Sequence, residues 1–154
     1  LHKAIRRQRQ MCIRDRIAES GDTLHITTYR EGNEEGLQVR FDRETGSRLK
    51  EYYKKNNRYD GLYREYDPST GELVYEATYE FGRLNGKAKS LVRDNRFDYW
   101  ETSTYANGRQ TGPFESRYVK NDRVRETGTY RNGHRTGRWK RYDINGKLEM
   151  EWEE

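Results

Sequence analysis

Tyr130-Arg131-Asn132-Gly133-His134-Arg135-Thr136-Gly137-Arg138-Trp139-Lys140-Arg141-Tyr142-Asp143-Ile144-Asn145-Gly146-Lys147-Leu148 is the stretch that decides the fold. It holds two Asn-Gly dipeptides, the signature of type I′ hairpin turns, in which both turn residues need φ > 0. Past the second dipeptide, Leu148, Met150 and Trp152 alternate with Lys147, Glu149 and Glu151. A period of two is strand periodicity, not helix periodicity. Trp139 and Tyr142 are three residues apart and would face opposite sides of a flat strand, so a bulge or a sheet using both faces is expected there.

The same pattern runs back through the chain. Gly36, Gly61, Gly86, Gly112 and Gly137 follow one another at spacings of 25, 25, 26 and 25. Tyr29, Tyr53, Tyr79, Tyr105 and Tyr130 precede them by 7, 8, 7, 7 and 7 residues. A large residue follows each glycine at the fifth or sixth position: Phe41, Tyr66, Leu91, Tyr118 and Tyr142. Three position classes in one register mark a repeat of about 25 residues. Asn107-Gly108 is a further type I′ dipeptide, and Asp42 to Gly46 and Asp67 to Gly71 read as longer turns. Leu73, Tyr75, Ala77 and Tyr79 share one face, with Glu76, Thr78 and Glu80 on the other; Phe97, Tyr99, Glu101, Ser103 and Tyr105 repeat this less cleanly.

Each unit is therefore one β-hairpin. The predicted fold is all-β: an open antiparallel meander of about five hairpins in a single twisted sheet, with about ten strands and a length of about 45–50 Å. The third unit, Lys87 to Asn95, has Leu91 in the aromatic slot and no clear turn glycine, and should be the least regular. No unit buries its own aromatics, so each depends on its neighbours.

Composition agrees once the charge is located. The chain of 154 residues carries 31 Lys+Arg and 26 Asp+Glu, a formal net charge of +5. Leu, Ile, Val and Phe number only 23, a poverty that would suggest disorder were there not 20 aromatics. Residues 1–20 hold six bases and two acids, whereas residues 21–154 hold 25 bases against 24 acids. The basic balance thus belongs to a leader, 1–20, and the repeat domain, 21–154, is nearly neutral. The leader is expected to be a short helix or a disordered tail, since Ile5, Ile13 and Ile17 loosely share a helical face and Gly21 would end it. Met11-Cys12-Ile13-Arg14-Asp15-Arg16 is also similar to the in-frame translation of a transposon-end sequencing adapter, which would set residues 1–16, with the single cysteine, outside the fold. No run of about 18 apolar residues exists, so a soluble chain without a transmembrane segment is expected. No secretory signal is visible, and an overwritten native start would leave that silent.

The segment Tyr130 to Leu148 resembles a MORN-repeat variant of the bacterial YwqK-family proteins. Their unit runs as tyrosine, Asn-Gly-Lys, Gly-x-Trp, an aromatic, then Asn-Gly-Lys-Leu. Tyr105 to Val124 is a second good match, with Asn107-Gly108, Gly112, Phe114 and Tyr118 in place. Tyr53 to Leu73 keeps Gly61, Tyr63, Tyr66, Gly71 and Leu73 but has Asn56-Asn57 for the first Asn-Gly. The first and third units match weakly. The resemblance implies an elongated open sheet and a non-enzymatic, antitoxin-like protein that binds another protein. Tyr63-Arg64-Glu65-Tyr66-Asp67 and Tyr142-Asp143 also resemble YD repeats of large secreted shell proteins, whose shells need far more chain.

Catalysis finds little support. His2, His25 and His134 are far apart, and no nucleophile elbow, Walker loop or dinucleotide fingerprint is present. No metal site, cofactor or small-molecule substrate is expected. Nucleic acid is an unfavoured partner, although Arg138 to Tyr142 and Tyr52 to Tyr59 interleave bases with aromatics, because a nearly neutral body attracts phosphate weakly. An anionic lipid surface is the other alternative, and it would lean on the leader. Another protein is the expected partner, since Tyr, Trp and Arg predominate at binding hot spots. Tyr105, Phe114, Tyr118, Tyr130, Trp139 and Tyr142 are the candidate contact residues; the competing reading makes each of them sheet core.

Overall fold

A computed structural model describes residues 11–17 and 23–154. The strands are β1 (Met11–Ile17), β2 (Thr23–Arg30), β3 (Asn33–Phe41), β4 (Arg48–Lys55), β5 (Arg58–Tyr66), β6 (Leu73–Glu80), β7 (Arg83–Val92), β8 (Tyr99–Ala106), β9 (Arg109–Tyr118), β10 (Val124–Arg131), β11 (His134–Tyr142) and β12 (Leu148–Glu153). They form one open antiparallel sheet in chain order, so the meander expected from the repeat is present, with twelve strands in place of about ten. Met11–Ile17, expected in a helical or disordered leader, is a strand paired with β2. The rest of the leader lies outside the described residues. Among the described residues no helix is long and apolar enough to cross a membrane.

Local backbone demands explain the repeat. The turns entering β3, β5, β7, β9 and β11 are Glu31-Gly32, Asn56-Asn57, Phe81-Gly82, Asn107-Gly108 and Asn132-Gly133, and both residues of each have positive φ. Asn56-Asn57 thus fills the Asn-Gly position, since asparagine tolerates the left-handed region better than most residues. Asn145-Gly146 departs from expectation. Only Gly146 has positive φ, and the loop is held instead by Asp143, whose Oδ1 accepts from the Asn145 and Lys147 amides at 2.9 and 2.8 Å. Asp42 and Asp67 cap their loops in the same way.

The repeat glycines are bulge residues. In each of the first four units, one residue of the incoming strand faces three of the next, and the glycine is the middle one: Thr28 against Gly36, Tyr53 against Gly61, Thr78 against Gly86, Thr104 against Gly112. Gly137 lies within the corresponding bulge of the fifth. All five have positive φ. At Gly36 a Cβ would also meet Thr28 Oγ1 at 2.9 Å, the hydroxyl that serves the bulged carbonyls of Glu35 and Leu37 at 2.6 and 2.9 Å.

The register corrects one assignment. Gly36 pairs with Lys54, whereas Gly61, Gly86 and Gly112 pair with Tyr79, Tyr105 and Tyr130. The repeat position in the second unit is therefore Lys54, and Tyr53 sits one residue off, in the bulge, which accounts for its spacing of 8. The bulge expected between Trp139 and Tyr142 is a register shift at Arg141/Tyr142. The pairing of β7 with β8 carries no register shift, so the third unit, expected to be the least regular, has an uninterrupted ladder there and lacks the shift seen in the matching strand pairs of the other units. Phe97 lies outside β8 and turns its ring onto Tyr118 at 5.7 Å.

The core is one row across one face. Cross-strand partners run Thr27, Gln38, Tyr52, Tyr63, Ala77, Ala88, Ser103, Phe114 and Gly128, then Trp139 and Trp152. Most of these side chains are buried, and Trp139 is fully so. The row holds two groups of rings with small residues between them. On the other face, charges form a chain: Glu51 accepts from Arg48 at 2.8 Å and Arg64 at 3.1 Å, and Arg64 reaches Glu76 at 2.7 Å.

Candidate binding site

Two residues after each repeat glycine lies one slot of the core row, filled by Gln38, Tyr63, Ala88, Phe114 and Trp139. On the N-terminal side, Tyr52, Tyr59, Tyr63, Tyr75 and Tyr79 pack with centroids 5.2–6.0 Å apart. Lys50 and Glu65 bracket the Tyr63 hydroxyl, which donates to Glu65 at 2.5 Å and accepts from Lys50 at 3.2 Å. Burial, with the Glu65 carboxylate second, pushes the Tyr63 phenol up to about 12. On the C-terminal side, Trp139 touches Phe114, Tyr130 and Trp152 at 5.4, 5.2 and 6.1 Å. Such ring pairs each add about 0.5–1.5 kcal/mol beyond their buried area.

Between these clusters Ala77, Ala88 and Ser103 follow one another across three strands, too small to continue the stack. A cavity of about 300 Å³ opens there. Its walls are Tyr75, Tyr105, Phe114 and Tyr130; Ala88, Ser90 and Ser103 are its small residues; Glu101, Gln110 and Arg135 add polar groups. Gln110 donates to Ser103 Oγ at 2.8 Å.

The charges in and beside the cavity are unequal in their partners. Glu126 is buried, accepts from Arg141 Nε and Nη2 at 2.9 and 2.7 Å, and forms an ion pair with Arg135 at 3.2 Å. Arg135 also lies over the Trp139 ring at 4.1 Å, and Arg125 over Tyr99 at 3.9 Å. Glu101 is half-buried and lines the cavity, and no hydrogen bond or ion pair joins its carboxylate to another described residue. Burial raises its pKa; Arg125 and Arg135 oppose that rise, and Glu126 adds to it. Burial likewise raises the Tyr75 and Tyr105 phenols, so both stay neutral donors.

Of the residues singled out from sequence, the structure brings Phe114, Tyr130 and Trp139 into contact and places Tyr105 and Tyr130 on the cavity. Phe114, Tyr118 and Trp139 are buried and form part of the core, Phe114 also contributing to the cavity wall. Tyr118 donates to the Tyr142 carbonyl at 2.9 Å, and Tyr142 lies beside Val124 and Thr127, apart from the cavity. Sequence reasoning missed Glu101, Ala88 and Gly128. Aligning the units on their glycines would have exposed Ala88 as the small residue in an otherwise larger slot. Comparison with protein-family models, with curated proteins and with solved structures finds no match.

Proposed function

We propose that this chain is a non-catalytic β-repeat module of the MORN-variant kind, which binds another protein through the face that carries the core row. The interrupted row carries this reading: where the stack breaks, half-buried tyrosines, an arginine and a carboxylate surround a recess in the sheet face. Aromatic and arginine side chains around a partly desolvated recess are the composition of binding hot spots. A toxin-like protein is the partner class that the YwqK-family resemblance implies. The anionic-surface reading has less behind it, since Arg135 and Arg141 direct their charge at Glu126. Affinity capture with the wild-type chain and with a Tyr105→Arg variant tests the proposal. A protein retained by the wild type and lost by the variant supports it; equal retention by both, or capture of nothing by either, overturns it.

A further inference from the structure

Glu101 is costly where it stands. A carboxylate half out of water with no donor pays a desolvation penalty that the more distant charges of Arg125 and Arg135 offset only in part. Elsewhere on the same face the chain compensates its buried acid, since Glu126 receives two arginines. At Glu101 the neighbouring strands offer Ser90 and Ser116 at the paired positions and tyrosines around the recess. Ser116 Oγ is itself buried without a partner.

What the recess lacks, a ligand must bring. A metal ion fits poorly, because hard cations take six or more oxygens and one carboxylate is present. An anion would meet Glu101 and Glu126. An apolar group would seal Glu101 away from water uncompensated. An organic cation suits most of the lining: the rings of Tyr75, Tyr105 and Tyr130 can attract positive charge, Glu101 pairs with it, and Arg135, the cation of the lining, is already engaged by Glu126.

We infer that the recess between β6 and β10 receives a lysine or arginine side chain of the protein partner, with Glu101 as its counter-ion and Tyr75, Tyr105 and Tyr130 as its aromatic walls. This rests on the interaction-module reading above. About 300 Å³ is room for an extended butylammonium or a guanidinium. Ala88 makes that room: a ring in its slot, as at Tyr63, Phe114 and Trp139, would close it.

The test is nuclear magnetic resonance of the full chain titrated with capped Gly-Lys-Gly, capped Gly-Arg-Gly and the uncharged Gly-norleucine-Gly. The cationic peptides should shift the amides of Ala88, Ser90, Glu101 and Ser103 with a dissociation constant on the order of 1 mM, and norleucine should not. Glu101→Gln should weaken the cationic peptides at least about tenfold with the spectrum otherwise retained. Ala88→Phe should abolish the shifts. Equal binding of norleucine, unchanged binding to Glu101→Gln, no shift with either cation, or shifts elsewhere on the sheet would each overturn the inference. Affinity capture separates the two readings. A partner held equally by wild type and Glu101→Gln leaves the module standing and removes the cation pocket, whereas capture of nothing by either removes the module as well. Sedimentation of the chain alone covers the remaining occupant: a dimer lost in Glu101→Gln would make the occupant a second copy and overturn the choice of a foreign partner.

Discussion

Replacing Gly128 by alanine probes the packing that closes the C-terminal ring cluster. Among the described glycines Gly128 alone lacks a positive φ, so its requirement is space and not backbone conformation. A Cβ there would lie 2.1 Å from Trp139 Cδ2, 2.2 Å from Cε2 and 2.5 Å from Cε3. Non-bonded carbons settle at about 3.5–4.0 Å, so the indole must retreat by roughly 1.4 Å. It has nowhere to go: Trp139 is 0% exposed and walled by Phe114, Tyr130 and Trp152. Overpacking costs about 1–3 kcal/mol, and full eviction of the ring approaches the roughly 3–5 kcal/mol of a Trp→Ala change. The entropy that alanine removes from the unfolded chain returns only about 0.4–1 kcal/mol. The expected net loss is about 2–4 kcal/mol. Urea unfolding at constant m-value measures it, and tryptophan fluorescence should shift toward the exposed range. On a Trp139→Ala background the same change should be neutral or stabilising, a coupling of about 2–4 kcal/mol. Additive effects, or a loss under about 0.5 kcal/mol from Gly128→Ala alone, would refute a ring seated on the glycine.

Glu101→Gln should raise the thermal midpoint at neutral pH, because it removes a half-buried charge that no hydrogen bond or close ion pair holds. The folded pKa is raised, so ionisation disfavours the fold above it; the gain should shrink as pH falls through that pKa, and a gain that grows on acidification would contradict the assignment. Tyr63, Tyr75, Tyr79, Tyr105 and Tyr118 all have raised pKa values, chiefly through burial. Stability should therefore hold below the unfolded tyrosine value of 10.0 and fall as pH rises toward and through about 12, with phenolate absorbance appearing together with unfolding. Phenolate absorbance that rises well before unfolding would show these rings to be exposed. Glu126→Ala should cost about 1–3 kcal/mol in urea unfolding, below the roughly 3–5 kcal/mol of a fully buried broken pair because Arg135 and Arg141 keep some access to water. An unchanged midpoint would show that Glu126 does not organise the two arginines.

Much of the fold was legible because the repeat states local requirements. Asn107-Gly108 and Asn132-Gly133 sit at turns where both φ are positive, and the glycine at every 25 or 26 residues sits at a bulge. Such demands act over a few residues and leave direct marks. Tyr53 misled for a related reason: it resembles the neighbouring tyrosines, but only strand pairing shows that Lys54 holds their position. The leader misled because helix and strand periods are hard to tell apart in a short segment with three isoleucines, and an available sheet edge decides the outcome for Met11–Ile17.

The amino-acid sequence by itself determined the hairpins, their order and the open meander, because turn and bulge geometry are properties of adjacent residues. Only the tertiary structure decided which rings became core and where the core row broke. Ala77, Ala88 and Ser103 are unremarkable one at a time; they make a recess because hydrogen bonding sets them side by side on three strands. Glu101 reads as one more surface acid until its neighbours from other strands take it half out of water and leave it unpaired. Burial and electrostatic compensation are sums over groups distant in the chain, and the sheet is what brings those groups together.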